Sequence, residues 1–474
     1  MPCWIPVPGG GRVAHMRRLL MPEFALTALM VSLASVALVP AQTPAPAGNR
    51  TGGGGKELLL PKRIGQVPEG NDFDNPESEF ALKRSRATPN MVLFWAKEYG
   101  DDPLANPVAG RRFNVDEVVQ ACEKCYAYYF DKLEWLDKRK SLAARYKFLV
   151  FVTGGDNNTA YGGSIDNKIG AFWTPATRIH RGPYGVIAHE LGHSFQAIGR
   201  ADGAASFAGG SIGEMTSQFM LWQVYPEWMT FENYHLNDFM KATHLAFLHE
   251  DNQYHSPYVL EYWSEKRGLR TIGRLWREVR PGEDPVLTYQ RMFEVTQEAF
   301  NDEIFDAARR FVTWDMPRIR QVASRYANQH TTSIVRADDG WFRIAPEKCP
   351  QNYGYNAIQL KVPNAGGVVK VAFEGQADAP GSTAVNPDKA GWRYGFLASR
   401  ANGERVYGTV NAKSPGAAAF TVPPDAKFLW LVVTGAPTSH WIHKSEKKGG
   451  KPAQWPYRFK LAGTTPDESI IRRD

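Results

Sequence analysis

Cysteine is scarce, with four in 474 residues. A fold stapled by many bridges is therefore excluded. Cys122 and Cys125 form "CEKC", but no second CxxC or CxxH accompanies them, so the ligand count of a structural zinc site is missing. A bridge from Cys349 to the Cys122/Cys125 pair would tie the two main regions together, and three buried thiols are the equal alternative. Charge of one sign is also lacking. The net charge of +7 is mild for this length, and Lys and Arg are scattered. No basic stripe marks a nucleic-acid partner. After Val39 no apolar run is long enough to span a membrane. Hydrophobic residues at 43% and aromatics at 12% suffice for a substantial core, and the length favours two domains.

The one long apolar run is "FALTALMVSLASVALV", Phe24 to Val39. It follows the basic "MRRLL" and precedes the small-residue "VPA" at Val39 to Ala41. Residues 1–41 read as a secretory signal peptide, which places the protein in the secreted, periplasmic or cell-surface space. No cysteine follows the run, so a lipid anchor is not expected. Residues 42–87 read as a Pro/Gly-rich linker, beginning with "QTPAPAGNRTGGGGK". Residues 88–335 carry three strand-like runs, "NMVLFWAK", "RYKFLVFVTGG" and "NKIGAFWTP". The last is a candidate edge strand for an extended substrate. Between the first two, Asn114 caps an amphipathic helix with Glu117 at the capping-box position. Helical segments dominate from the "GVIAHELGHSFQ" stretch to about residue 325. From 336 to 474, seven short β-rich runs separated by Gly, Pro and Asn predict a β-sandwich. Its aromatics, Trp392, Tyr394, Trp430, Trp441 and Trp455, are expected in the core, with a sugar platform as the alternative. The fold class is α+β, mostly helical after the "HELGH" helix, followed by an all-β domain.

"HELGH" carries the chemistry. On a helix, residues i and i+4 share a face, so His189 and His193 can reach one ion. Glu190 then projects toward a water on that ion. Bound zinc lowers the pKa of water from about 16 to about 7, and a glutamate can take its proton. The flanking residues Val186, Ile187, Ala188, Leu191, Gly192, Ser194 and Phe195 carry no charge, so the helix is expected to be buried, and buried polar side chains need partners. A catalytic zinc takes three protein ligands. Glu214 is the best third ligand: it opens the mostly apolar "EMTSQFMLWQV", which a second helix would bring to the first. Gly192 costs about 1 kcal/mol in a helix interior and marks a point where that helix or a substrate comes close.

His189, Glu190, His193 and Glu214, with 20 residues between the last two, resemble the gluzincin branch of zinc metallopeptidases. The motif is also similar to that of enhancin-like, mucin-degrading peptidases. Over residues 88–465 the chain resembles an uncharacterised family of secreted bacterial proteins. That family combines an HExGHxxQ helix, a "TWD" helix (here Thr313 to Asp315) and β-strands like "GWRYGF" and "PYRFKL". The resemblance implies a zincin-like domain over 88–335, zinc as cofactor held by His189, His193 and Glu214, and Glu190 as general base. The gluzincin pattern often places an acid one turn after the glutamate ligand to orient a histidine; Gln218 stands there, and an amide can also accept the imidazole N–H. An oxyanion stabiliser is expected from "NQYHSPY". His255 and Tyr258 are preferred, and Tyr254 and His235 remain open. The expected function is hydrolysis of a protein or glycoprotein, with carbohydrate as a further partner of the C-terminal domain. The alternative is a non-catalytic exported metal- or carbohydrate-binding protein.

Overall fold

Met91–Trp95 and Phe148–Thr153 are apolar on both faces, a pattern that belongs to parallel strands covered on both sides. In the computed structural model they are β2 and β3 of a five-stranded sheet, with Ser85–Ala87 (β1), Tyr161–Ile165 (β4) and Ile169–Pro175 (β5). The strand order is β1-β2-β3-β5-β4. β2, β3 and β5 run parallel, and β1 and β4 are antiparallel edges. The structure describes residues 55–472, except 210, 364, 365 and 444–448. The signal segment 1–41 lies outside the described residues.

Two expectations change here. "NKIGAFWTP" is interior, with β5 buried along its whole length between β3 and β4. The edge on that side is β4, "YGGSI", whose two glycines hide it from a reading based on β-propensity. The described part of the 42–87 linker is folded. Phe73 packs on Phe94 at 5.0 Å and Phe80 on Phe151 at 5.0 Å, covering the face of the sheet that the helices leave. A parallel sheet needs both faces covered, and this segment supplies the second cover despite its polarity.

The first cover is helical. Val115–Ala127 (α1) starts at the Asn114 cap, whose side chain accepts from Asp116 N and Glu117 N. The short Leu142–Arg145 (α2) precedes β3. Gly185–Ala201 (α3) carries the "HELGH" stretch and lies against α1, β4 and β5. Among the described residues eight more helices follow: Ile212–Val224 (α4), Trp228–Phe231 (α5), Asn233–Lys241 (α6), Tyr258–Arg267 (α7), Thr271–Glu278 (α8), Pro285–Phe293 (α9), Gln297–Thr313 (α10) and Arg320–Ala323 (α11).

Beyond them, two sheets share a second buried cluster. The four-stranded sheet holds Tyr355–Leu360, Trp392–Arg400, Arg405–Tyr407 and Ala426–Gly435. The six-stranded sheet includes Val368–Gly375, Gly416–Thr421 and Tyr457–Ala462. Phe373 of the larger stacks on Tyr394 of the smaller at 4.2 Å. The other face of the smaller sheet sends Tyr355, Leu397, Trp430 and Val432 into the helical core. Arg393 pairs with Asp302 of α10 at 2.5 Å, and Asn301 donates to Pro437 O at 2.9 Å. The described residues form one compact unit of mixed helices and sheets.

Cys122, Cys125 and Cys349 are free and buried. The bridge is therefore not formed and the thiols act as packing groups, and burial pushes the Cys125 and Cys349 thiols up to about 12. Trp392, Tyr394, Trp430 and Trp455 are core, whereas Trp441 is half-buried.

Candidate metal centre

α3 and α4 meet where both helices offer small residues. A Cβ on Gly192 would come within 3.0 Å of Ser217 Oγ and 3.3 Å of Ser217 Cα. The close approach expected at Gly192 is therefore made by the Glu214 helix. On the opposite side, a Cβ on Gly162 of β4 would overlap the Glu190 carbonyl oxygen and come within 2.9 Å of His193 Cβ. The strand thus lies directly on the turn of α3 that holds both histidines. Gly162→Ala forces backbone apart at this contact. It is expected to destabilise the protein by about 1–3 kcal/mol, as overpacking typically does. An unchanged midpoint in thermal unfolding would refute the contact.

Three donor atoms converge above that turn. His189 Nε2 and His193 Nε2 are 3.1 Å apart. Glu214 Oε2 is 3.1 Å from the first and 3.0 Å from the second. Tetrahedral zinc with bonds near 2.05 Å sets its ligand atoms about 3.3 Å apart, so the triangle is close to the size a metal ion requires. His189, Glu190 and His193 also offer ligand atoms that all lie within 4.8 Å of one another.

The outer nitrogens decide which way the lone pairs face. His193 Nδ1 is 3.3 Å from Gln196 Oε1, and Gln196 Nε2 donates to Gly213 O at 2.8 Å and to Ser217 Oγ at 3.0 Å. A backbone carbonyl only accepts, so it fixes the amide orientation and leaves Oε1 to accept from His193 Nδ1–H. His189 is held likewise. Its Nδ1 is 3.3 Å from Gln218 Oε1, and Gln218 Nε2 donates to Tyr254 O at 3.2 Å. Both neutral imidazoles then direct Nε2 lone pairs at a carboxylate oxygen. Three acceptors facing one point repel unless a cation sits among them. The protein groups alone show the same demand. Burial lowers the His189 pKa, but Glu214 and Glu190 outweigh it and the net shift is upward. Burial disfavours the Glu214 carboxylate, yet the two histidines hold it far below the usual carboxylate range. The donor set fits a divalent metal of borderline softness.

Glu190 stands beside the triangle rather than in it, with a carboxylate oxygen within 4.8 Å of the histidine ligand atoms. It is only 7% exposed, and its carboxylate accepts no hydrogen bond from the described residues. Burial raises its pKa, against the pull of His189 and His193. A buried carboxylate without partners beside a cation site is suited to moving a proton.

The structure separates the two residues preferred for oxyanion stabilisation. Tyr258 is 0% exposed and opens α7 with its ring among Trp222, Phe239 and Trp314, at 5.3, 4.4 and 4.8 Å. It cannot touch a substrate, because the first turn of α7 is buried on all sides. His255 is half-buried, and its Nδ1 lies 2.7 Å from His235 Nδ1. Tyr254 is the member of "NQYHSPY" beside the ligands, with its ring 6.2 Å from that of His189. Sequence reasoning passed over Gln196 as a partner of His193, although it lies three residues on along the same helical face. Glu232 is a further carboxylate near these groups: burial raises its pKa, it accepts from Trp228 Nε1 at 2.7 Å, and its Oε2 lies 3.8 Å from His235 Nε2.

No curated protein matches the sequence. Among solved structures the chain is similar to accessory secretory proteins 1, 2 and 3 of Streptococcus pneumoniae. The identity is 9% over 28% of this chain and 85% of that one, with a TM-score of 0.16. It is also similar to the M60 catalytic domain with two CBM51 domains of Clostridium perfringens ZmpB, at 9% identity and a TM-score of 0.26. That match covers 82% of this chain and 60% of the other, less than two thirds of its length. Likenesses at this level assign neither fold nor activity. A family model described as "Family of unknown function (DUF6055)" matches residues 54–468, and the chain belongs to that family.

Proposed function

We propose that the protein is an exported zinc-dependent hydrolase, a metallopeptidase or glycopeptidase with a zincin-like domain braced by a β-sandwich. The observation that carries this reading is the convergence of His189 Nε2, His193 Nε2 and Glu214 Oε2, with both Nδ1 atoms tied to oriented amides. A zinc ion held by these three residues would supply an acidified water and a Lewis acid for a carbonyl oxygen.

The chain's own residues do the rest. Glu190 takes a proton from the attacking water and passes it to the leaving amine. Its burial keeps the carboxyl basic enough for both transfers. Tyr254 takes the place first given to His255 and Tyr258, facing the carbonyl oxygen as negative charge develops. β4 offers an antiparallel edge to an extended substrate, and its Tyr161, 41% exposed and stacked on Trp173 at 4.9 Å, gives an apolar surface beside it. Residues 1–41 would direct export. Among the described residues no helix is long and apolar enough to cross a membrane. Of the five aromatics considered for a sugar platform, half-buried Trp441 is the one left for a carbohydrate.

The test is a cleavage profile of the zinc-loaded protein on a mixture of peptides and glycoproteins. Cleavage that stops on chelation and returns with zinc is the expected result. A protein that binds zinc and cuts nothing in the mixture is instead a non-catalytic binding protein.

A further inference from the structure

The two ligand histidines are anchored differently. The His193 anchor ends at once, because Gln196 passes its N–H groups to Gly213 O and Ser217 Oγ. The His189 anchor continues. One Gln218 N–H is used by Tyr254 O, and the other faces His235 Nε2 at 3.1 Å. That nitrogen must accept, so neutral His235 carries its proton on Nδ1. Its Nδ1–H then donates to His255 Nδ1 at 2.7 Å, and His255 keeps its own proton on Nε2. Every donor therefore points the same way, from His189 through Gln218 and His235 to His255. One fixed point, the Tyr254 carbonyl, sets the direction of all of them.

We propose that His235 and His255 are positioning residues for the metal ligand His189, acting through Gln218 to hold it as the Nδ1–H tautomer with Nε2 toward the metal. The inference rests on the zinc reading above. It accounts for two features that packing leaves unexplained. His235 is only 6% exposed, and a buried ring nitrogen needs a partner on each side, where an apolar residue would need none. Gln218 carries no charge to strengthen His189, as an acid would. A chain of aligned donors polarises the amide carbonyl and replaces part of that missing charge. Each link takes part in the alignment: without His235, only the Tyr254 carbonyl is left to hold the Gln218 amide against turning its N–H groups toward His189 Nδ1, a turn that destroys the donor geometry.

The experiment uses the full chain with all histidines labelled with nitrogen-15. It compares wild type, His235→Leu, Gln218→Glu and the double variant. Zinc affinity is measured by competition with a chelator, and imidazole tautomers are read from long-range nitrogen–proton spectra of the metal-free protein. His235→Leu is expected to weaken zinc about 10- to 100-fold, the range typical of such outer partners. It is also expected to remove the Nδ1–H signature of His189. Gln218→Glu should make His235 dispensable, so the double variant should bind zinc like Gln218→Glu alone. That rescue separates positioning from a general loss of structure. Equal zinc affinity and an unchanged His189 tautomer in His235→Leu would overturn the proposal. Failure of the wild type to bind zinc would overturn the metal reading itself. In that case the tautomer of His235 still decides the chain: an Nε2–H form would refute it, and the Nδ1–H form would leave it as an anchor of His189 alone.

Discussion

Glu190→Gln is expected to keep one zinc per chain and lose hydrolysis by about 10²–10⁴-fold, the usual weight of a general base. The substitution keeps the shape of the side chain and removes its ability to take a proton. Three features make this a clean test. Glu190 is not among the three atoms that converge on the metal position. Its carboxylate accepts no hydrogen bond from the described residues, so none is broken. Burial already raises its pKa, so an amide there is no less comfortable than a carboxylate. Thermal unfolding should stay level or move up. A drop in stability together with lost activity would make Glu190 a structural residue, and full activity on the cleaved substrates would end the proposed mechanism.

Glu214→Ala is expected to weaken zinc by more than 100-fold, beyond the range of outer partners, because it removes a direct ligand. It leaves His189 Nε2 and His193 Nε2 facing each other across 3.1 Å with no anion between them. Stability of the metal-free protein should change little. A first-turn acid stabilises a helix by about 0.3–1 kcal/mol, and the strain of three converging acceptors is relieved at the same time. Equilibrium dialysis with metal analysis measures the affinity. Unchanged zinc binding would reduce Glu214 to a helix-dipole partner of α4.

The two experiments separate binding from chemistry. Loss of zinc in Glu214→Ala with retention in Glu190→Gln assigns ligand and base to different carboxylates. The environment supports that division: the histidines hold Glu214 ionised, whereas burial pushes Glu190 toward the protonated form. Two acids within one site are tuned in opposite directions.

What the sequence determined by itself is local or nearly so. The i, i+4 spacing of His189 and His193 follows from helical periodicity alone, and the uncharged flanks made burial of that helix certain to matter. Glu214 was legible because one acid opens a mostly apolar segment 21 positions on, and Gly192 because a helix rarely carries a glycine without a close neighbour. Gln218 was reached only through the gluzincin resemblance, whose pattern places a partner for a histidine one turn after the glutamate. The strands β2 and β3 were legible as unbroken apolar runs.

What only the tertiary structure decided depends on contacts between distant segments. The edge strand is β4 rather than β5, since sheet order follows from which strand α3 must cover, and "YGGSI" gives up β-propensity to let α3 approach. The polar stretch around Phe73 and Phe80 is folded because a parallel sheet needs a second cover, a demand that local composition does not register. Tyr254 and Tyr258 are four residues apart, yet the turn before α7 holds one beside His189 while the packing of α7 buries the other in the core. The path from His189 to His255 joins α3, α4, α6 and the loop before α7. No spacing in the sequence encodes it, because hydrogen bonds between side chains are specified by where helices cross, and helix crossings are set by the packing of the whole core.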